Sequence, residues 1–252
     1  MNLSPIMKNY VAGLSFDTVF EDTSGCISGL KHVPAGEVWE LKDINEWKQR
    51  LLYKGREWAV VDNLVVHEEI KTGGSEAQRF IDNYKRTLTN LATSGIKVVC
   101  YNFMPVFFKV RTHFNYSFQD KHAFSLFDPV AFAVFDIYIL KRPLAEKSYT
   151  GYQKHQAKIF NTRLSTADKL QLSENILEGV QSITVLSLNG LTEKVNRYAG
   201  LGNEDLINNM ENFNRQVLPL AGELGISMHF QVDDPCGNLL GLPCVSEKYL
   251  PY

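Results

Sequence analysis

The feature that most constrains this chain is an alternation of short apolar runs with longer amphipathic ones. Trp58-Ala-Val-Val-Asp-Asn-Leu-Val-Val66 is almost continuously apolar, and so is Ile96-Lys-Val-Val-Cys-Tyr-Asn-Phe103. Between them Phe80, Ile81, Tyr84, Leu88 and Leu91 recur at helical spacing, from Ser75 to a stop at Gly95. The same order occurs once before. Cys26-Ile-Ser-Gly-Leu30 is a strand candidate, and Asp43 is placed to cap a helix carrying Ile44, Trp47, Leu51 and Leu52, ended by Gly55. Strands separated by crossover helices predict parallel βαβ units. Near-continuous apolar strands predict a sheet covered by helices.

The middle of the chain changes character. Phe107 to Phe127 is rich in aromatics and His and has no clean period. Asp128 is then predicted to cap a helix carrying Phe132, Phe135, Ile139 and Leu140, stopped by Pro143. Residues 149–202 read as a polar helical insertion. Asn203 is predicted to cap a helix through Leu206, Ile207, Met210, Phe213, Val217 and Leu220, which Pro219 should kink. After Gly225 comes a strand at Ile226–Gln231, and the tail from Asp233 reads as loop. With a further strand near Tyr10–Phe16, the pattern gives about five strands in one α/β domain spanning residues 1–252.

Composition removes several classes of function. Lys+Arg 26 against Asp+Glu 28 gives a formal net charge of -2, so no strong field favours nucleic acid or an anionic membrane. No apolar run has the length of a leader or a membrane span. Of the four cysteines, Cys26 and Cys100 are predicted to be buried thiols, and Cys236 and Cys244 do not have metal or redox spacing. Reduced thiols imply a cytoplasmic protein. Neither a G-x-G-x-x-G nor a P-loop pattern follows a strand, and no G-x-S-x-G elbow occurs.

In parallel βαβ folds, functional groups gather beyond the carboxyl ends of the strands. Those positions carry Lys31, His32 and Glu37; then His67, Glu68, Glu69 and Lys71; then Asn102 and Arg111; then Gln231, Asp233 and Asp234. Each has a plainer reading. His67–Lys71 fits a solvated loop, His32 a turn histidine, and Asp233-Asp-Pro235 an ordinary turn. His229 reads as a buried core histidine bonded to a neighbour, and His113, His122 and His155 as surface residues. The repeated placement at strand ends carries the functional reading. Carboxylates, histidines and amides in such a ring suit a divalent metal and a polyhydroxylated ligand.

Several runs resemble the mannonate dehydratase family. They are His32-Val-Pro-Ala-Gly-Glu-Val-Trp39, His67-Glu-Glu-Ile-Lys71, Asn83-Tyr84, Cys100-Tyr-Asn-Phe-Met-Pro-Val106, Arg111-Thr112, Ile139-Leu-Lys-Arg-Pro143, Asp233-Asp-Pro235 and Gly241-Leu-Pro243. Their order and spacing match as well. The resemblance implies a (β/α)₈ TIM barrel of the xylose-isomerase type with a helical insertion before the fifth strand. It implies a lyase that converts D-mannonate to 2-keto-3-deoxy-D-gluconate in hexuronate catabolism, with Mn2+ or Fe2+. His32, His67, Asn102, Arg111, Asp233 and Asp234 are then substrate-binding candidates.

Other positions depart from the family pattern. Gln231 stands where the family has a metal-binding His. Phe108-Lys109-Val110 replaces Asp-Trp-Thr, Lys31 replaces a His, Asp62-Asn63 replaces Glu-Ser, and Val65 replaces a Pro. The remaining family ligands and the acid–base machinery belong to strands six to eight. The expectation is therefore a barrel truncated to about five strands, with no catalytic residue assigned and impaired activity. The alternative expectation is a non-catalytic pseudoenzyme acting through protein association, which leaves a homo-oligomer open.

Overall fold

A computed structural model describes residues 25–116, 124–181 and 186–245. The strand expected near Tyr10–Phe16 lies outside the described residues, as does His122. The chain opens with β1 (Gly25–Ser28), α1 (Leu41–Tyr53), β2 (Glu57–Val61), a short α2 (Glu68–Thr72), α3 (Ala77–Thr93) and β3 (Val98–Tyr101). A hairpin, β4 (His113–Tyr116) and β5 (Phe124–Leu126), precedes α4 (Pro129–Val134). The backbone then widens into a π-helical turn at Phe135–Leu140. The stretch expected to be polar and helical holds α5 (Gly151–Arg163), α6 (Thr166–Glu178) and α7 (Leu188–Asn196). A long α8 (Asn203–Glu223) leads into β6 (Ser227–Phe230).

The βαβ expectation is met. Four strands form a parallel sheet in the order β1-β2-β3-β6, with Val98 opposite Ser227 and Tyr101 opposite Phe230. Period-two alternation sends Val99, Tyr101, Met228 and Phe230 to one face. There the Tyr101 ring lies 5.9 Å from Phe213 of α8, and Phe213 meets Tyr84 of α3 edge-on at 4.9 Å. Val61, Leu88, Leu91, Phe103 and Val217 complete this core, all buried. The opposite face is more open: Val60, Val98 and Cys100 are half-buried, and Ser227 and His229 on the edge strand are exposed.

Several boundaries differ from the sequence reading, for local reasons. The apolar run to Val66 leaves the sheet after Val61, and Leu64 instead donates its amide to Cys100 O. Apolarity there marks burial of Leu64 and Val66 in the core, not strand. The first helix begins two residues before Asp43, which lies in its first turn where a carboxylate suits the helix dipole. The residues flanking α3 and α8 at their starts are Glu76 and Gly202, not Ser75 and Asn203. Asn203 instead accepts from Cys244 N and from Asn238 Nδ2, tying the last loop to α8. Pro219 lies inside the helix, which continues to Glu223. The hairpin was hidden because its strands are short and have no period. Asp128 caps α4 as expected, accepting from Val130 N and Ala131 N. Gly55, Gly95 and Gly225 hold positive φ at the helix exits, where a side chain would be strained.

Cys26 and Cys100 are half-buried rather than buried, and burial raises both thiols. Among the described residues no helix is long and apolar enough to cross a membrane.

Phe213 is fully buried and touches rings from both α3 and the sheet. Phe213→Ala should cost about 3–5 kcal/mol, measured as a lowered urea midpoint with little change in slope.

Candidate functional site

Beyond the carboxyl ends of β1 and β2 lies a cavity of about 430 Å³. The turn after β1 contributes Lys31 and Gly36, and the segment after β2 contributes Asp62, Asn63 and His67. Phe108, Lys109 and Arg111 close one side, with Glu178 to Gln181 from the end of α6 against them.

The base of this region is a buried charge pair. Lys71 is fully buried, and its ammonium donates to Glu68 Oε1 at 2.9 Å, Met104 O at 2.7 Å and Gln181 Oε1 at 3.3 Å. The second Glu68 oxygen accepts from Tyr198 OH at 2.6 Å and Val106 N at 3.2 Å. Burial alone would raise the Glu68 carboxyl, but Lys71, Tyr198 and Val106 together hold it below the usual range. The same burial, beside an ionised Glu68, raises the Tyr198 hydroxyl, so it stays a donor.

Lys71 also fixes the polarity of its neighbours. An ammonium only donates, so the Gln181 oxygen must face it. The Gln181 amide nitrogen then donates to Phe107 O at 3.2 Å and approaches Asn102 Oδ1 at 3.4 Å. Asn102 is left to donate to Phe108 O at 3.2 Å. One buried cation therefore orients two amides and anchors the loop that carries Phe108 and Lys109. The loop is also held by Phe108 N on Gly179 O and Gln181 N on Val106 O. Gly179 is needed there, because a Cβ would stand 2.0 Å from Lys109 O.

His67 caps α2, its Nδ1 accepting from Glu69 N at 3.1 Å, and its ring stacks on Phe80 at 3.6 Å. Burial lowers its pKa, with Glu68 and Glu69 opposing. A neutral ring that accepts at Nδ1 carries its proton on Nε2, which makes His67 a hydrogen-bond donor. Arg111 grips Asp234: Nη1 donates to Oδ1 at 2.9 Å and Nη2 to Oδ2. Asp233 is buried, its Oδ1 has no hydrogen-bond partner among the described residues, and burial pushes its carboxyl up to about 6 against the opposing pull of Lys71 and Val245 N.

His67 and Arg111 thus line the cavity, and Asp234 is held by Arg111. Asn102 lies buried, bonded to the loop that walls the cavity. His32 is exposed in the turn after β1 and is not among the lining residues. Gln231 follows β6, its side-chain oxygen buried and without a hydrogen-bond partner among the described residues. His229 is exposed rather than buried, because it faces the open side of the edge strand, and it pairs with Ser227 Oγ at 2.9 Å. Gln181 and Tyr198 escaped the sequence reading: they come from the helical stretch, distant in sequence and without a local motif.

The described residues define an α/β protein with a parallel sheet and a cavity of mixed polar and apolar lining at the carboxyl ends of β1 and β2. A family model for D-mannonate dehydratase matches residues 11–249. The chain is 39% identical over 223 residues to a mannonate dehydratase of Marinomonas sp. (strain MWYL1), covering 88% of this chain and 57% of that protein. It is 37% identical over 223 residues to a mannonate dehydratase of Chromohalobacter salexigens, with the same coverage. The crystal structure of mannonate dehydratase from Streptococcus suis serotype 2 superposes with a TM-score of 0.59 at 26% identity, over 87% of this chain and 49% of that one. This chain belongs to the mannonate dehydratase family. It spans about half the length of these relatives, 57% and 49% in the cases given.

Two stability predictions follow from the buried charges. Glu68→Gln leaves Lys71 without its counter-charge and should cost about 3–5 kcal/mol in chemical denaturation. Asp233 titrates in the opposite sense to a paired carboxylate. Its folded pKa of about 6 lies above the ordinary aspartate value of 3.8, so the folded state prefers the proton and loses stability as pH rises through that window. Asp233→Asn should therefore be stabilising by about 2–3 kcal/mol at pH 7 and neutral below about pH 4; a parallel shift at both pH values would contradict the assignment.

Proposed function

We propose that this chain is the sugar-acid-binding part of a mannonate dehydratase, a lyase that removes water from D-mannonate to give 2-keto-3-deoxy-D-gluconate in hexuronate breakdown. The observation that carries this reading is the cavity beyond β1 and β2, lined by His67, Lys109 and Arg111 in a chain of that family. The sheet is, in this reading, part of the wall of a (β/α)₈ barrel, supported by its parallel order and its likeness to the Streptococcus suis structure. The protein works in the cytoplasm, consistent with free thiols at Cys26, Cys100 and Cys244.

The reaction takes the proton from C2 and expels the C3 hydroxyl, so it needs a base and an acid. His67 supplies a fixed donor to a ligand hydroxyl, and the buried Lys71 node keeps the walls of the cavity in place. The family implies Mn2+ or Fe2+, but the donors found here do not fit a complete site. Among the described residues no group of three or more His, Cys, Asp or Glu side chains could hold a metal ion. Gln231 offers only an amide oxygen, a weaker donor than imidazole to a transition metal. His67 Nδ1 is committed to a backbone amide, and His229 is on the open face of the sheet. No step of the reaction is therefore assigned to a metal on these residues.

Calorimetry with D-mannonate and an assay for the keto-acid product, with and without Mn2+, test the reading. The expected result is binding with little or no turnover by this chain alone. Rapid Mn2+-dependent product formation would contradict the incomplete site, and absence of binding would contradict the sugar-acid reading itself.

A further inference from the structure

Arg111 is the obvious cation for a ligand carboxylate, but its geometry gives it a different task. Both terminal nitrogens face Asp234, and Nη1 also donates to Val110 O at 2.9 Å. Asp234 already neutralises that charge and Nη1 has no hydrogen left, so the attraction of Arg111 for a second carboxylate is weakened. The pair fastens the loop after β6 to the wall of the cavity, with Val110 N on Asp234 O as a further tie.

From this we infer that Lys109 is the residue that receives the carboxylate of an anionic ligand in this cavity. The inference rests on the sugar-acid reading above and names the contact that selects for the acid. Lys109 lines the cavity and is half-buried. Among the described residues its ammonium makes no ion pair and no side-chain hydrogen bond. A lysine on a cavity wall, with no counter-charge among the described residues, attracts an anion that enters the cavity. The backbone beneath it is fixed on both sides by Phe108 N on Gly179 O and Val110 N on Asp234 O, so little ordering is left to binding.

The rest of the lining suits the other end of such a ligand. Lys31, exposed at the rim and without an ion pair among the described residues, adds attraction at longer range. Asp62 and Glu178 line the same space, and Glu37 faces Arg79 at 4.0 Å. Carboxylates accept hydrogen bonds from hydroxyl groups and repel a second anion. The ligand class is therefore a small polyhydroxy monocarboxylate, its acid group at Lys109 and its hydroxyls towards His67, Asp62 and Glu178. Lys109 is a specificity-determining contact, and Arg111 is a positioning residue.

Calorimetry on the whole chain, with D-mannonate and the neutral polyol D-mannitol as probes, tests this. Wild-type protein should bind D-mannonate at least about tenfold more tightly than D-mannitol. Lys109→Met should lose about tenfold in D-mannonate affinity and leave D-mannitol unchanged, whereas Lys109→Arg should stay within about threefold of wild type. Undiminished D-mannonate binding by Lys109→Met would overturn the assignment and leave the sugar-acid reading standing. Equal losses in Lys109→Met and Lys109→Arg would overturn an electrostatic role. Failure of the wild-type chain to bind D-mannonate would overturn both readings.

Discussion

The Lys71–Glu68 pair is the contact on which the rest of the site depends. Both charges are buried, so each survives only because the other is there and because every remaining valence is hydrogen-bonded. The partners come from widely separated parts of the chain. Met104 and Val106 belong to the segment after β3, Gln181 follows α6, and Tyr198 follows α7. Apolar packing alone could have docked α6 and α7 in several ways. A buried ammonium with three obligatory acceptors accepts only one arrangement, and that arrangement builds the cavity wall.

The node also separates structural from ligand-facing charge. Lys71, Glu68, Arg111 and Asp234 are satisfied by one another, by backbone or by Gln181 and Tyr198, and they hold loops. Lys109 and Lys31 have no such partners among the described residues and line the cavity. Asn63, which lines the cavity, and Gln231 and Asp233 after β6 have buried side-chain oxygens without partners among the described residues. Such groups are unfavourable for folding alone, which is why functional sites are where they are tolerated.

Much of the architecture was legible in the sequence because it follows from periodicity. The strands at Cys26, Trp58, Ile96 and Ile226 and the helices between them could be read from apolar spacing and glycine stops. Their ends could not, since Leu64 and Val66 are apolar for core packing rather than for pairing. The site was legible in part. His67 and Arg111 were found by their place after strands, and the family resemblance followed from the runs around them. Gln181 and Tyr198 were not, because their roles depend on contacts more than a hundred residues away from Lys71 and Glu68. The burial of His229 was misjudged because the alternation rule gives its face but not whether that face is covered.

The most direct test of the account is backbone amide NMR of the isotopically labelled chain during titration with D-mannonate. The account predicts that shifts concentrate in the segments 29–37, 62–67, 107–111 and 178–181, at the carboxyl ends of the strands. Shifts confined to the opposite end of the sheet, around Gly55, Gly95 and Gly225, or spread evenly over the surface, would contradict it.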